Sequence, residues 1–130
     1  MNQGKYIFSQ VMELVSHKVF NACVKRYKGD YKTKQFSCWK QFLCMAFGQL
    51  THRESLSDTI LCLRANAGKL YHMGIGQAIA KSTLSNANES RDCRIFSDIA
   101  MVLIEEAKSL YLNDSDLEVK QKNNVFAIDA

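Results

Sequence analysis

Between Lys81 and Arg91 the chain reads Lys-Ser-Thr-Leu-Ser-Asn-Ala-Asn-Glu-Ser-Arg. Lys81, Thr83, Ser85, Asn86, Asn88 and Arg91 supply short polar groups and two cations. Those side chains bond to base edges and phosphates when a helix enters a major groove. The pattern predicts a short helix over about 75–81, a break at Ser82 and a second helix to about Ser90, a helix-turn-helix-like unit near 75–91. Ser82 suits an N-cap, and Asn86 with Glu89 has the spacing of a second, weaker capping box. The same Ser and Asn residues could instead cap a turn in a helical bundle, and the turn lacks the glycine often found in such units.

A second group of residues suits phosphate. From Lys18 to Lys40 there are seven cations (Lys18, Lys25, Arg26, Lys28, Lys32, Lys34, Lys40) and one acid, Asp30, with Tyr27, Tyr31, Phe36 and Trp39 interleaved. Positive charge binds phosphate through counterion release, whatever the base sequence. The plainer alternative is a solvated helix face and loop, with Phe36 and Trp39 in the core. The imbalance extends further: residues 1–97 hold 14 Lys/Arg against 6 Asp/Glu, residues 98–130 hold 3 against 7. A polyanion partner is therefore expected for the first part alone.

Other chemistries find little support. Five cysteines, at 23, 38, 44, 62 and 93, are odd in number and lack Cys-x-x-Cys spacing, so buried reduced thiols are expected rather than a disulfide framework or zinc site. His17, His52 and His72 are scattered without ligand spacing. Glu105 and Glu106 read as a solvated helix face. No apolar run approaches the roughly 18–20 residues needed to span a bilayer, and the first residues lack a signal core, so a soluble, cytoplasmic protein away from membranes is expected.

The elements that must position these groups are helices. The chain has 130 residues, 47% of them hydrophobic, and no proline. That length suits one domain, and the missing proline favours uninterrupted helices. Ile7, Val11, Leu14 and Val15 recur at helical spacing over 6 to about 16. Val19, Phe20, Cys23, Val24 and Tyr27 mark a second helix ending near Gly29, where glycine can take a left-handed cap. Ser37 opens a third helix, whose stripe of Trp39, Phe42, Leu43, Ala46, Phe47 and Leu50 is expected to be the most buried. A fourth starts near Glu54-Ser55, carries Leu56, Ile60 and Leu63, and stops around Asn66-Gly68. Leu70, Tyr71 and Met73 then pack beneath the 75–91 unit. Asp92 caps a long helix to about Leu112, with Phe96, Ile99, Ala100, Leu103, Ala107 and Leu110 on one face. The fold class is thus all-α, a compact bundle of about five or six helices over 1–112. A polar linker follows over 113–124, then an apolar strand over 125–130 with no sheet to join.

In this order the residues resemble the amino-terminal part of bacterial insertion-sequence transposases of the DDE type, in the group founded on insertion sequence four. The likeness rests on Phe36-Ser37-Cys38-Trp39-Lys40-Gln41, on Phe47-Gly48-Gln49-Leu50, on Arg53-Glu54-Ser55-Leu56 with Asp58, and on Ser82-Thr83-Leu84-Ser85 followed by Ala87-Asn88-Glu89-Ser90-Arg91-Asp92. Phe126-Ala127-Ile128-Asp129-Ala130 looks like the strand bearing the first acid of the triad. The resemblance implies a helical domain that helps bind the element's terminal inverted repeats, in a bacterial, nucleoid-associated protein working on paired DNA ends as a dimer or higher assembly. A ribonuclease-H-like domain would follow, using magnesium held by several carboxylates. Asp129 alone matches a catalytic, metal-binding position, so these 130 residues are expected to be inactive by themselves and to need no cofactor. Lys25, Arg26, Lys28, Lys32, Lys34 and Lys40 are expected on the DNA backbone. Lys81, Thr83, Ser85, Asn86, Asn88 and Arg91 are expected to add positioning and base readout. Two rival readings stay open: a helical module that dimerises the transposase, and a truncated helix-turn-helix regulator of transposition.

Overall fold

The computed structural model describes residues 6–112. Six α-helices follow one another there: α1 (Ile7–Met12), α2 (His17–Arg26), α3 (Cys38–Leu50), α4 (Leu56–Ala65), α5 (Lys81–Ser90) and α6 (Arg94–Leu112), with a 3₁₀ turn at Ala67–Lys69. The all-α bundle read from the sequence is the observed architecture. No strand occurs among the described residues, and the linker (113–124), the 125–130 strand and Asp129 lie outside them. No helix among the described residues is long and apolar enough to cross a membrane.

Serines set three of the starts. Ser16, Ser37 and Ser55 each sit in extended backbone and accept from the amide three residues on: Val19, Lys40 and Asp58. Each satisfies a donor that the first turn leaves without a partner. Ser16 also explains why α1 ends at Met12 rather than near residue 16, because a residue in that role cannot be helical. In α1 and the turn after it the inward residues are Phe8, Met12 and Val15, whereas Ile7 (81% exposed) and Leu14 (73%) point outward, a rotation from the expected stripe. Asp92 Oδ1 accepts from the Arg94 amide at 3.0 Å and starts α6 as expected.

Three helical turns stop in one way, with crossed hydrogen bonds around a residue at positive φ. Gly29 N donates to Val24 O and Lys28 N to Lys25 O; Arg53 N donates to Gly48 O and His52 N to Gln49 O. Ile75 N and Gly74 N repeat the pattern on Leu70 O and Tyr71 O. The left-handed residues are Lys28 (φ 53°), His52 (φ 57°) and Gly74 (φ 84°). Glycine takes that position once only, so Gly29 is not the left-handed cap it was expected to be. It is required for closeness instead: a Cβ there would stand 2.6 Å from Ile95 Cδ1 and 2.7 Å from Cys38 Sγ.

The helix expected over 75–81 is absent. Gly74 and Gly76 (φ 88°) both take left-handed backbone, which drives Ile75 into the core and leaves 75–80 irregular. Helix α5 then starts at Lys81 with Ala80 as its uncapped N-cap residue, so Ser82 lies inside the first turn rather than before it.

Two cores result. The larger gathers Met12, Leu43, Phe47, Leu63, Leu70 and Ile75 with Leu84 and Ala87 of α5. The smaller holds Phe20, Cys23 and Val24 of α2, Cys38, and Ile95 and Ile99 of α6. Trp39 and Phe42 pack against both. Leu50, Tyr71, Ala100 and Leu110 are exposed despite their apolar spacing, and Ile95, missing from the expected face of α6, is fully buried.

Candidate nucleic-acid interface

The seam between the two cores opens into a groove of about 590 Å³. One wall is the loop between α2 and α3, contributing Lys28, Tyr31 and Lys34; the other is α5 with Thr83, Asn86 and Ser90. Phe36, Gly29 and Ala87 lie between them, and Arg91 and Asp92 close one end. Residues 83, 86, 87 and 90 share a helix face because helical neighbours recur every three or four positions.

The loop is built to hold its cations in place. Lys28 and Lys32 (φ 60°) both take left-handed backbone, which a β-carbon disfavours. Tyr31 N donates to Lys28 O, Thr33 N to Asp30 O, and the Cys38 amide to Asp30 Oδ1 at 2.8 Å. Asp30, the lone acid of the basic run, is therefore engaged by the backbone. Burial, together with that carboxylate, pushes the Cys38 thiol up to about 12, and burial does the same to Cys44, so both stay protonated at neutral pH. Of the other cysteines, Cys23 is buried, Cys62 half-buried and Cys93 exposed, the last against expectation.

The opposite wall is fixed by a polar pin. Gln41 of α3, 2% exposed, donates from Nε2 to Asn88 Oδ1 (2.8 Å) and accepts at Oε1 from Arg91 Nη1 (2.9 Å). Arg91 Nη2 also donates to the Phe36 carbonyl, with the guanidinium carbon 5.5 Å from the Phe36 ring centroid. Asn88 Nδ2 completes the set on the Met45 sulfur at 3.3 Å. A buried amide left without partners would be costly, so all three side chains hold α5 against α3.

The groove thus unites Lys28, Lys34, Thr83, Asn86 and Arg91 from the twelve expected DNA contacts. Lys25 and Lys81 are exposed outside it, and Ser85 is half-buried. Arg26 pairs with Asp98 at 2.6 Å, where Tyr27 Oη also donates at 2.8 Å. Hydrogen bonding with Tyr27 and Asp98 raises its affinity for its proton further. Lys32 Nζ lies 5.4 Å from the Tyr31 centroid, and half-buried Lys40 approaches Gly76. Asp92 forms an ion pair with Arg94 at 2.6 Å, which holds its carboxyl below the usual range. Among the described residues no three His, Cys, Asp or Glu side chains gather as a metal site. Sequence reasoning left Tyr31 and Ser90 out of the site and missed Gln41; the 83-86-90 spacing was the available signal for Ser90.

Residues 3–76 match the family described as "Domain of unknown function (DUF4372)", and by that extent the chain belongs to it. No curated protein and no solved structure matches the chain. The matched stretch runs from the amino terminus to the second left-handed glycine, so α5 and α6, with one wall of the groove, follow it.

Proposed function

We propose that this DUF4372 chain is the DNA-binding amino-terminal part of a transposase and recognises the terminal inverted repeats of its element. The observation that carries the reading is the groove itself, where a preset cationic loop faces a helix presenting Thr83, Asn86 and Ser90. Cations supply affinity without reading sequence, and amide and hydroxyl side chains supply discrimination. Lys25, Lys28, Lys32 and Lys34 hold the DNA backbone, and Asn86 contacts a base edge. The motif blocks and the apolar run Phe126-Ala127-Ile128 before Asp129 support the transposase reading, and that resemblance assigns the chemistry to a metal-dependent domain.

The test is fluorescence anisotropy on duplexes taken from the genomic ends of the element encoding the chain, titrated at several salt concentrations. Replacing Lys25, Lys28, Lys32 and Lys34 by Gln lowers the salt slope by about 0.9 per lost phosphate contact. Asn86→Ala leaves the slope alone and narrows the preference for the true end over a scrambled duplex. If neither change alters duplex binding, the proposal fails.

A second reading, a module that dimerises the transposase, has one observation in its favour: Met101, Ile104, Tyr111 and Leu112 stand exposed on α6. Light scattering of a dimer together with an absent gel shift would favour it over DNA binding.

A further inference from the structure

Tyr31 is the aromatic side chain lining the groove that neither the core nor a hydrogen bond explains. It is 72% exposed although large and half apolar, and it lines the same recess as Lys28, Lys34 and Asn86. The Lys32 ammonium stands over its ring, 5.4 Å from the centroid. A cation on one face leaves the other available for a flat partner. The turn beneath Tyr31 is fixed by hydrogen bonds from its own amide to Lys28 O and from Thr33 N to Asp30 O.

The shape of the site narrows its partner. The cations of the loop suit duplex phosphates, and the recess that α5 forms with the loop adds room for a nucleotide that has left the duplex. Single-stranded nucleic acid is bound by the combination found here, cations along a groove with an exposed aromatic ring on which a base can stack. Asn86 offers an amide donor and acceptor to the edge of a base held in that way.

We infer that the groove takes an unpaired DNA nucleotide stacked on Tyr31, so that the preferred ligand is a DNA end with a splayed or overhanging strand. The inference rests on the nucleic-acid reading of the groove and adds to it which form of DNA fits.

The full chain is titrated with a blunt hairpin duplex and with the same hairpin carrying a short single-stranded overhang, each fluorescently labelled. Overhanging DNA binds about tenfold more tightly than blunt DNA, in keeping with the contribution of one stacked base. Tyr31→Ala brings the ratio of overhanging to blunt affinity down to about one, whereas Tyr31→Phe keeps the preference because the ring survives. Thermal melts by circular dichroism match wild type for both variants, since the ring is exposed. Equal binding of the two DNAs, or a preference that survives Tyr31→Ala, overturns the inference. Should blunt duplex still bind with its full salt slope in that case, DNA binding stands and the unpaired-base site alone falls. Should neither DNA bind, both fall together.

Discussion

The two cores differ in how they are closed. The larger draws on α1, α3, α4 and α5 and on the 70–75 segment, and its fully buried side chains are mainly Leu and Ile. The smaller rests on one helix pair, α2 against α6, with Phe20 at its centre. Phe20 meets Trp39, Phe42 and Phe96 at ring-centroid distances of 5.1, 5.4 and 6.5 Å. Its rim is charged: Arg26 and Tyr27 hold Asp98, and Arg94 lies 4.6 Å from the Tyr27 centroid. Exposed ion pairs add little to stability, so the smaller core depends on a few aromatic and aliphatic contacts. The groove takes one wall from each core. Its shape therefore follows the weaker one.

The largest expected effect breaks this asymmetry at its centre. Phe20→Ala costs about 3–5 kcal/mol in urea unfolding. Amide exchange then quickens in α2 and α6 before α4; uniform acceleration would mean the two cores unfold as one. Gln41→Ala tests the pin of the larger core and costs about 1–3 kcal/mol, because Arg91 and Asn88 lose their partner. It also blunts the discrimination assigned to Asn86, and an unchanged melting curve would count against the pin.

Two glycines sharpen the contrast between close packing and open space. Gly29→Ala drives a methyl into Ile95 and Cys38 and costs about 1–3 kcal/mol, whereas Gly68, with nothing within 4 Å, tolerates Ala or gains about 0.5 kcal/mol. Equal melting temperatures for the two variants would contradict the fit. A further change also has the stabilising sign: Lys28→Gly relieves left-handed backbone and stabilises by up to about 1 kcal/mol. Under the proposed DNA-binding role the same change lowers the salt slope by about one contact. Loss of stability there would show that the Lys28 side chain packs more than its backbone strains.

Much of the bundle was legible in the chain. Ser37, Ser55 and Asp92 announced helix starts because capping is local and depends on residue type, and apolar spacing found the buried faces of α2 and α4. What failed was decided at a distance. Ile7 and Leu14 fit a helical stripe as well as Phe8 and Met12 do, and only packing on Phe47 selects Phe8. The Gly74-Ile75-Gly76 turn could be read as helix because glycine occurs in helices, and only burial of Ile75 fixes the backbone as irregular. For the groove, composition marked the cations and the polar face of α5, but no spacing rule brings residue 28 beside residue 86. Gln41 gave no sign of its role, since an amide in a helix is ordinarily a surface residue.

Because Gln41 grips both Asn88 and Arg91, α5 cannot roll about its own axis. A roll of one residue, about 100°, would swing Asn86 away from Tyr31 while leaving the helix itself intact. An aliphatic side chain at position 41 could fill the same room yet would hold no angular setting. The buried amide works as a spline on a shaft, and it keeps the wall of the groove facing the cationic loop.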